Sequence, residues 1–90
     1  MSSITVPIDA LEPRVRAILA QHARLAADAS TLDAQADLYQ AGMTSHASVN
    51  VMLALEGEFD VEFPDEMLNR SAFSNIREIC RAMASIGAKA

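Results

Sequence analysis

The stretch DLYQAGMTSHASVNVMLALEGEFDVEFPDE, residues 37–66, runs from a polar loop through Gly42 to Ser45 and then into an apolar segment. Its periodicity decides the fold. At about 100° per residue, Ser48, Val51, Met52, Leu55 and Phe59 fall on one stripe, the core face of an amphipathic helix over residues 45–59. His46, Val49, Leu53 and Glu56 fall on a second ridge. Two apolar residues in consecutive turns of that ridge, beside acids, mark a surface where a partner can dock. In "FDVEFPDE" apolar and acidic residues alternate, the pattern of a strand. A strand that short has no partner in this chain, so an extended loop is expected. Pro64 and Asp65 can then open a short helical turn carrying Met67 and Leu68.

The flanks read as helix too. Asp9 and Glu12 stand at capping-box spacing, Pro13 falls in the first turn where it is tolerated, and Leu11, Val15, Ile18, Leu19, His22 and Leu25 recur at helical spacing. His22, with no second metal ligand near it in sequence, is expected to pack rather than to ligate. From Asp28 to Thr44 the composition turns to Asp, Ser, Thr, Gln, Ala and Gly. That is long for a helix–helix connection, and Leu32, Leu38 and Tyr39 are its expected anchors. Ser74 is the expected N-cap of a last helix, whose core stripe is Ile76, Ile79, Cys80 and Met83, with Ile86. The expectation is an all-α, small four-helix bundle of three main helices and one short one. A flexible N-terminus over 1–8 and a flexible C-terminus over 87–90 would bracket a single domain over 9–86.

Bulk properties narrow the function. A chain of 90 residues suits one small domain. A net charge of −5 argues against nucleic-acid binding, which needs cations to neutralise phosphates. Nine of the twelve acids lie between Arg24 and Arg70, an interval without Lys or Arg. Such a surface steers basic partners. No apolar run is long enough to span a membrane. There is no secretory signal pattern, and the one cysteine excludes an internal disulfide. A cytoplasmic, monomeric protein is expected.

Ser45 could belong to a hydrolase or to a carrier. A nucleophilic serine needs a base within reach and a group to orient that base. His46 is adjacent, but neighbouring helical side chains point apart. The Gly-x-Ser-x-Gly elbow is absent. The acids of residues 56–66 lack the ligand pattern and central glycine of a calcium loop, so neither catalysis nor a metal site is expected. A carrier serine needs exposure and tolerance of an attached anion. A helix start supplies that tolerance through its unpaired N–H groups and dipole. Ser48, the nearest rival, falls on the core stripe.

The same stretch resembles the phosphopantetheine attachment region of acyl and peptidyl carrier proteins. Asp37, Leu38 and Tyr39 match that family's loop start, Gly42 its glycine and Ser45 its attachment serine. Leu55, Glu56, Phe59, Asp60 and Pro64 match the helix end and the link. The resemblance implies a four-helix bundle, a 4′-phosphopantetheine arm on Ser45, modification by a phosphopantetheinyl transferase, and no catalysis by the chain itself. Where the family usually has Asp before the serine and Leu after it, this chain has Thr44 and His46. The first change bears on which transferase recognises it. The second removes an apolar contact from the surface that partners touch. "GMTSHASVNVMLALE" and "FPDEMLNRSAF" are similar to a narrower group, small free-standing carriers charged with amino acids. Their ligases resemble the catalytic core of class II seryl-tRNA synthetases. This resemblance implies an amino acid held as a thioester, such a ligase as partner, and a downstream acceptor enzyme whose identity stays open. Thr44, His46, Val49, Leu53 and Glu56 are the expected partner contacts. A carrier of fatty-acyl, polyketide or nonribosomal peptide intermediates is the alternative, and an unmodified helical interaction domain is a third reading.

Overall fold

The computed structural model describes residues 8–88. Helix α1 spans Ile8–His22, α2 spans Ser45–Phe59 and α3 spans Ile76–Ser85, with single 3-10 turns at Asp65–Met67 and Ser71–Phe73. Among the described residues there is no strand, and the acidic link after α2 is an extended loop, as expected. The short fourth helix takes the form of the two 3-10 turns. Helix α1 is the central element and packs against both α2 and α3. Residues 1–7, most of the expected flexible N-terminus, lie outside the described residues. So does the side chain of Asp9, and with it the expected capping contact.

The expected core stripes are buried with one rotation. In α1, Leu11, Val15, Ile18 and Leu19 are buried and His22 is half-buried; Leu25, expected on the same stripe, lies beyond the end of the helix and is half-buried. In α3, Ile76, Ile79, Cys80 and Met83 are buried. In α2 the innermost residues are Ala47, Val51, Leu55 and Phe59. Ser48 and Met52, expected on that face, are half-buried at its edge. The small Ala47 lets α2 approach the bundle along that side, and the stripe rotates toward it.

Caps define the ends of the helices. Asn75, not Ser74, caps α3: its side-chain oxygen accepts from the Glu78 amide at 2.7 Å. Ser74 instead donates its hydroxyl to the Ser71 carbonyl at 2.8 Å. One residue decides this because Asn75 has the extended backbone of a cap whereas Ser74 is already in the right-handed helical region. Helix α2 stops at Asp60, which is left-handed (φ 55) and returns its amide to the Glu56 carbonyl. Past α3, Gly87 (φ 93) and the buried Ala88 carry the packed structure two residues beyond the expected boundary at 86. The Ala88 amide reaches the Met83 carbonyl at 3.0 Å.

Residues 23–44 form a long but closely fastened connection. Leu38, Met43 and Ala29 are buried, and Leu32 and Tyr39 are half-buried. The Leu38 amide donates to the Ser74 carbonyl (2.8 Å), and the Arg77 amide donates to the Ala34 carbonyl (3.0 Å), which ties the connection to the start of α3. Arg16 of α1 ties it from the other side. Its guanidinium donates to the carbonyls of Ala29 (2.8 Å) and Leu32 (2.6 Å) and pairs with Glu12 at 2.9 Å. The chain crosses itself at Gly42. The Ala26 amide donates to the Ala41 carbonyl at 2.8 Å, and a Cβ on Gly42 would lie 3.2 Å from the Ala26 nitrogen. With φ at +120, the position suits glycine on both counts.

Candidate functional site

Met43 is buried and Thr44 is the N-cap of α2, with its hydroxyl oxygen accepting from the Ala47 amide at 3.0 Å. Ser45 is therefore the first helical residue. Its side chain is exposed, and among the described residues its hydroxyl has no hydrogen-bond partner. The cap role that many junction serines play is taken here by Thr44. Ser48 differs: it is half-buried, and its hydroxyl donates to the Ser45 carbonyl at 2.6 Å. The two serines are one helical turn apart, yet only Ser45 has an uncommitted hydroxyl facing solvent.

The loop before Ser45 is held by Asp37. Its carboxylate accepts from the amides of Tyr39 (2.9 Å) and Gln40 (3.3 Å), closing an Asx turn. Tyr39 in turn lies under Arg70, whose guanidinium carbon is 3.8 Å from the ring centroid. Ser45 borders a cavity of about 240 Å³ between α2 and the segment 68–73. Ser48, Val49 and Met52 line its α2 side, and Leu68, Arg70 and Phe73 the other. A separate depression over Glu12, Arg16 and Ala20 of α1 shares none of these residues.

The expected partner ridge separates into two parts. His46, Val49 and Leu53 are exposed, Val49 by 48% and Leu53 by 56%. Leu68 adds a further exposed apolar side chain at 45%. Glu56 is half-buried and its carboxylate accepts from the Phe63 amide at 2.9 Å. It anchors the extended link, and Phe63 then packs edge-on against Phe73 with ring centroids 5.4 Å apart. This anchoring was missed because nothing in the local pattern distinguishes Glu56 from its exposed acidic neighbours. Leu68 and Arg70 were missed for a related reason: only the fold brings residues 68–73 beside Ser45.

No described residue gives the Ser45 hydroxyl a base, and among the described residues there is no group of His, Cys, Asp or Glu arranged to hold a metal ion. The chain belongs to the phosphopantetheine attachment site family, whose profile matches residues 13–83. It is 48% identical over 65 residues to an aminoacyl carrier protein of Agrobacterium fabrum, covering 72% of this chain and 78% of that protein. Its structure is similar to a carrier protein from Agrobacterium tumefaciens in a crystal with an engineered Bradyrhizobium japonicum glycine:[carrier protein] ligase and AMP. The TM-score is 0.78 at 43% identity, over 80% of this chain and 96% of the other. A solution structure of a protein from Agrobacterium tumefaciens matches with a TM-score of 0.61 at 46% identity, over 76% of this chain and 82% of that one. No helix among the described residues is long and apolar enough to cross a membrane.

Proposed function

We propose that this chain is an aminoacyl carrier that bears 4′-phosphopantetheine on Ser45. One observation carries the choice of residue: Thr44 occupies the cap, which leaves the Ser45 hydroxyl exposed and unpaired among the described residues. The prosthetic group fits the junction. It attaches as a phosphodiester, and the first turn of α2 offers backbone N–H groups and the positive end of the helix dipole to that anion. Ser45 attacks the β-phosphorus of coenzyme A through its oxygen. The pyrophosphate bond breaks, adenosine 3′,5′-bisphosphate leaves, and the hydroxyl proton passes to a base. A phosphopantetheinyl transferase supplies that base. The bound arm contributes a terminal thiol that holds an acyl group as a thioester.

The cargo we assign is an amino acid, a small one. The similarity to an aminoacyl carrier protein and to a carrier crystallised with a glycine:[carrier protein] ligase supports it. The partners are then an amino acid:carrier protein ligase and a downstream acceptor, with the chain serving as substrate and scaffold rather than catalyst. The exposed His46, Val49 and Leu53 lie beside Ser45 on the surface a ligase meets when it reaches the arm, and Thr44 sits at its edge. The single, buried Cys80 and the acidic surface suit a monomer in the reducing cytoplasm.

Intact mass tests both parts. Wild type, Ser45→Ala and Ser48→Ala are treated with coenzyme A and a broad-specificity transferase, then with ATP, candidate ligases and a panel of amino and fatty acids. Wild type and Ser48→Ala should each gain one phosphopantetheine, and Ser45→Ala none. The holo protein should then gain an amino acid mass. A gain by Ser45→Ala would overturn the residue assignment, and acceptance of fatty acids alone would overturn the cargo.

A further inference from the structure

We infer that Arg70 is the ionic anchor of the phosphodiester on Ser45, an inference that rests on the reading of Ser45 given above. Arg70 and Ser45 line the same cavity of about 240 Å³. Arg70 is the only cation among the residues that line it. The sequence sharpens this, because residues 25–69 contain no Lys or Arg and nine acids. An anion added at Ser45 enters a cavity whose lining holds no acid, and Arg70 is its one charged side chain.

The guanidinium is also positioned and uncommitted. It stacks on the Tyr39 ring at 3.8 Å, and Tyr39 is fixed by the Asp37 turn and by the buried Leu38 beside it. Stacking uses the face of the guanidinium and leaves its in-plane N–H donors available. Arg14, Arg16 and Arg81 each pair with a carboxylate, whereas no ion pair to a described residue engages Arg70. A planar, stacked and un-neutralised guanidinium matches the two non-bridging oxygens of a phosphodiester in a two-point contact. A lysine at this position would keep the charge and lose both the stack and the paired geometry.

Apo and holo forms of wild type, Arg70→Gln and Arg70→Lys test this directly. Intact mass first confirms that each holo form carries one arm. Failure of wild type to gain it would overturn the Ser45 reading, and this inference with it. The readouts are the ³¹P resonance of the arm and the Nε–H resonance of Arg70. In wild type, conversion to the holo form should move the Arg70 Nε–H line and slow its exchange with water by roughly fivefold, an effect that fades as salt rises. The ³¹P line of Arg70→Gln should differ from that of wild type, with Arg70→Lys between them. An Nε–H line unmoved by conversion, together with one ³¹P position in all three proteins, would overturn the anchor. If Arg70→Gln then slowed only charging by a ligase, Arg70 would be a contact for a partner protein instead.

Discussion

Thr44 and Ser45 divide two tasks that one hydroxyl cannot perform together. Thr44 spends its oxygen on the Ala47 amide, and Ser45 keeps its own for chemistry. Thr44→Ala should therefore lower stability by about 1 kcal/mol, the usual value of an N-cap, read from a urea melt. Thr44→Asp should restore most of it, because a carboxylate accepts the same bond. Asp28 gives a second single-residue prediction. Its carboxyl is held below the ordinary aspartate range first by the Ser30 amide and then by the Ser30 hydroxyl. Because the folded pKa is the lower one, the contribution of this turn is complete above the unfolded value. It is lost as pH falls through the folded value. A carboxyl titration followed by NMR should show the low midpoint. Ser30→Ala should raise it only part of the way, since the backbone donor remains.

The three helices were legible in the sequence because burial on one face leaves a period, and α1, α2 and α3 all show it. The connection 23–44 was legible only in part: its anchors Leu32, Leu38 and Tyr39 were, but its polar fastenings join residues far apart in the chain. Arg16 reads as a charged residue beside a core stripe, yet it holds two carbonyls of the connection. Met43 and Ala29 are buried without any local pattern to announce them. The cap of α3 was misplaced by one residue because Ser74 and Asn75 both favour caps, and only the backbone separates them. Arg16→Ala should leave those two carbonyls without their donor and cost about 1–3 kcal/mol, with faster amide exchange confined to residues 28–36. In α2, Leu55 is fully buried, and Leu55→Ala should cost about 2–5 kcal/mol. An unchanged melting midpoint would contradict the packing of that helix.

For the molecule as a partner, charge and apolar contact should separate by salt. The acidic surface raises encounter rates with a basic enzyme, and that advantage shrinks as ionic strength rises. Leu53, exposed by 56%, has little to lose in the free protein. Leu53→Ala should therefore slow charging at both low and high salt while leaving the melting midpoint in place. Wild-type charging rates for this variant would remove Leu53 from the docking surface. Glu56→Lys is the wrong probe for the same question. It breaks the bond to the Phe63 amide and perturbs the link as well as the surface.

The burial of Cys80 has a consequence for sulfur chemistry. A thioester is open to exchange with any thiolate it meets, and the chain's one cysteine is fully enclosed by the bundle. An acyl group on the arm therefore has no accessible thiol on its own carrier to migrate to. The same enclosure makes thiol reagents a direct measure of the prosthetic group. Folded apo protein should react with none, folded holo protein with one equivalent, and unfolded holo protein with two.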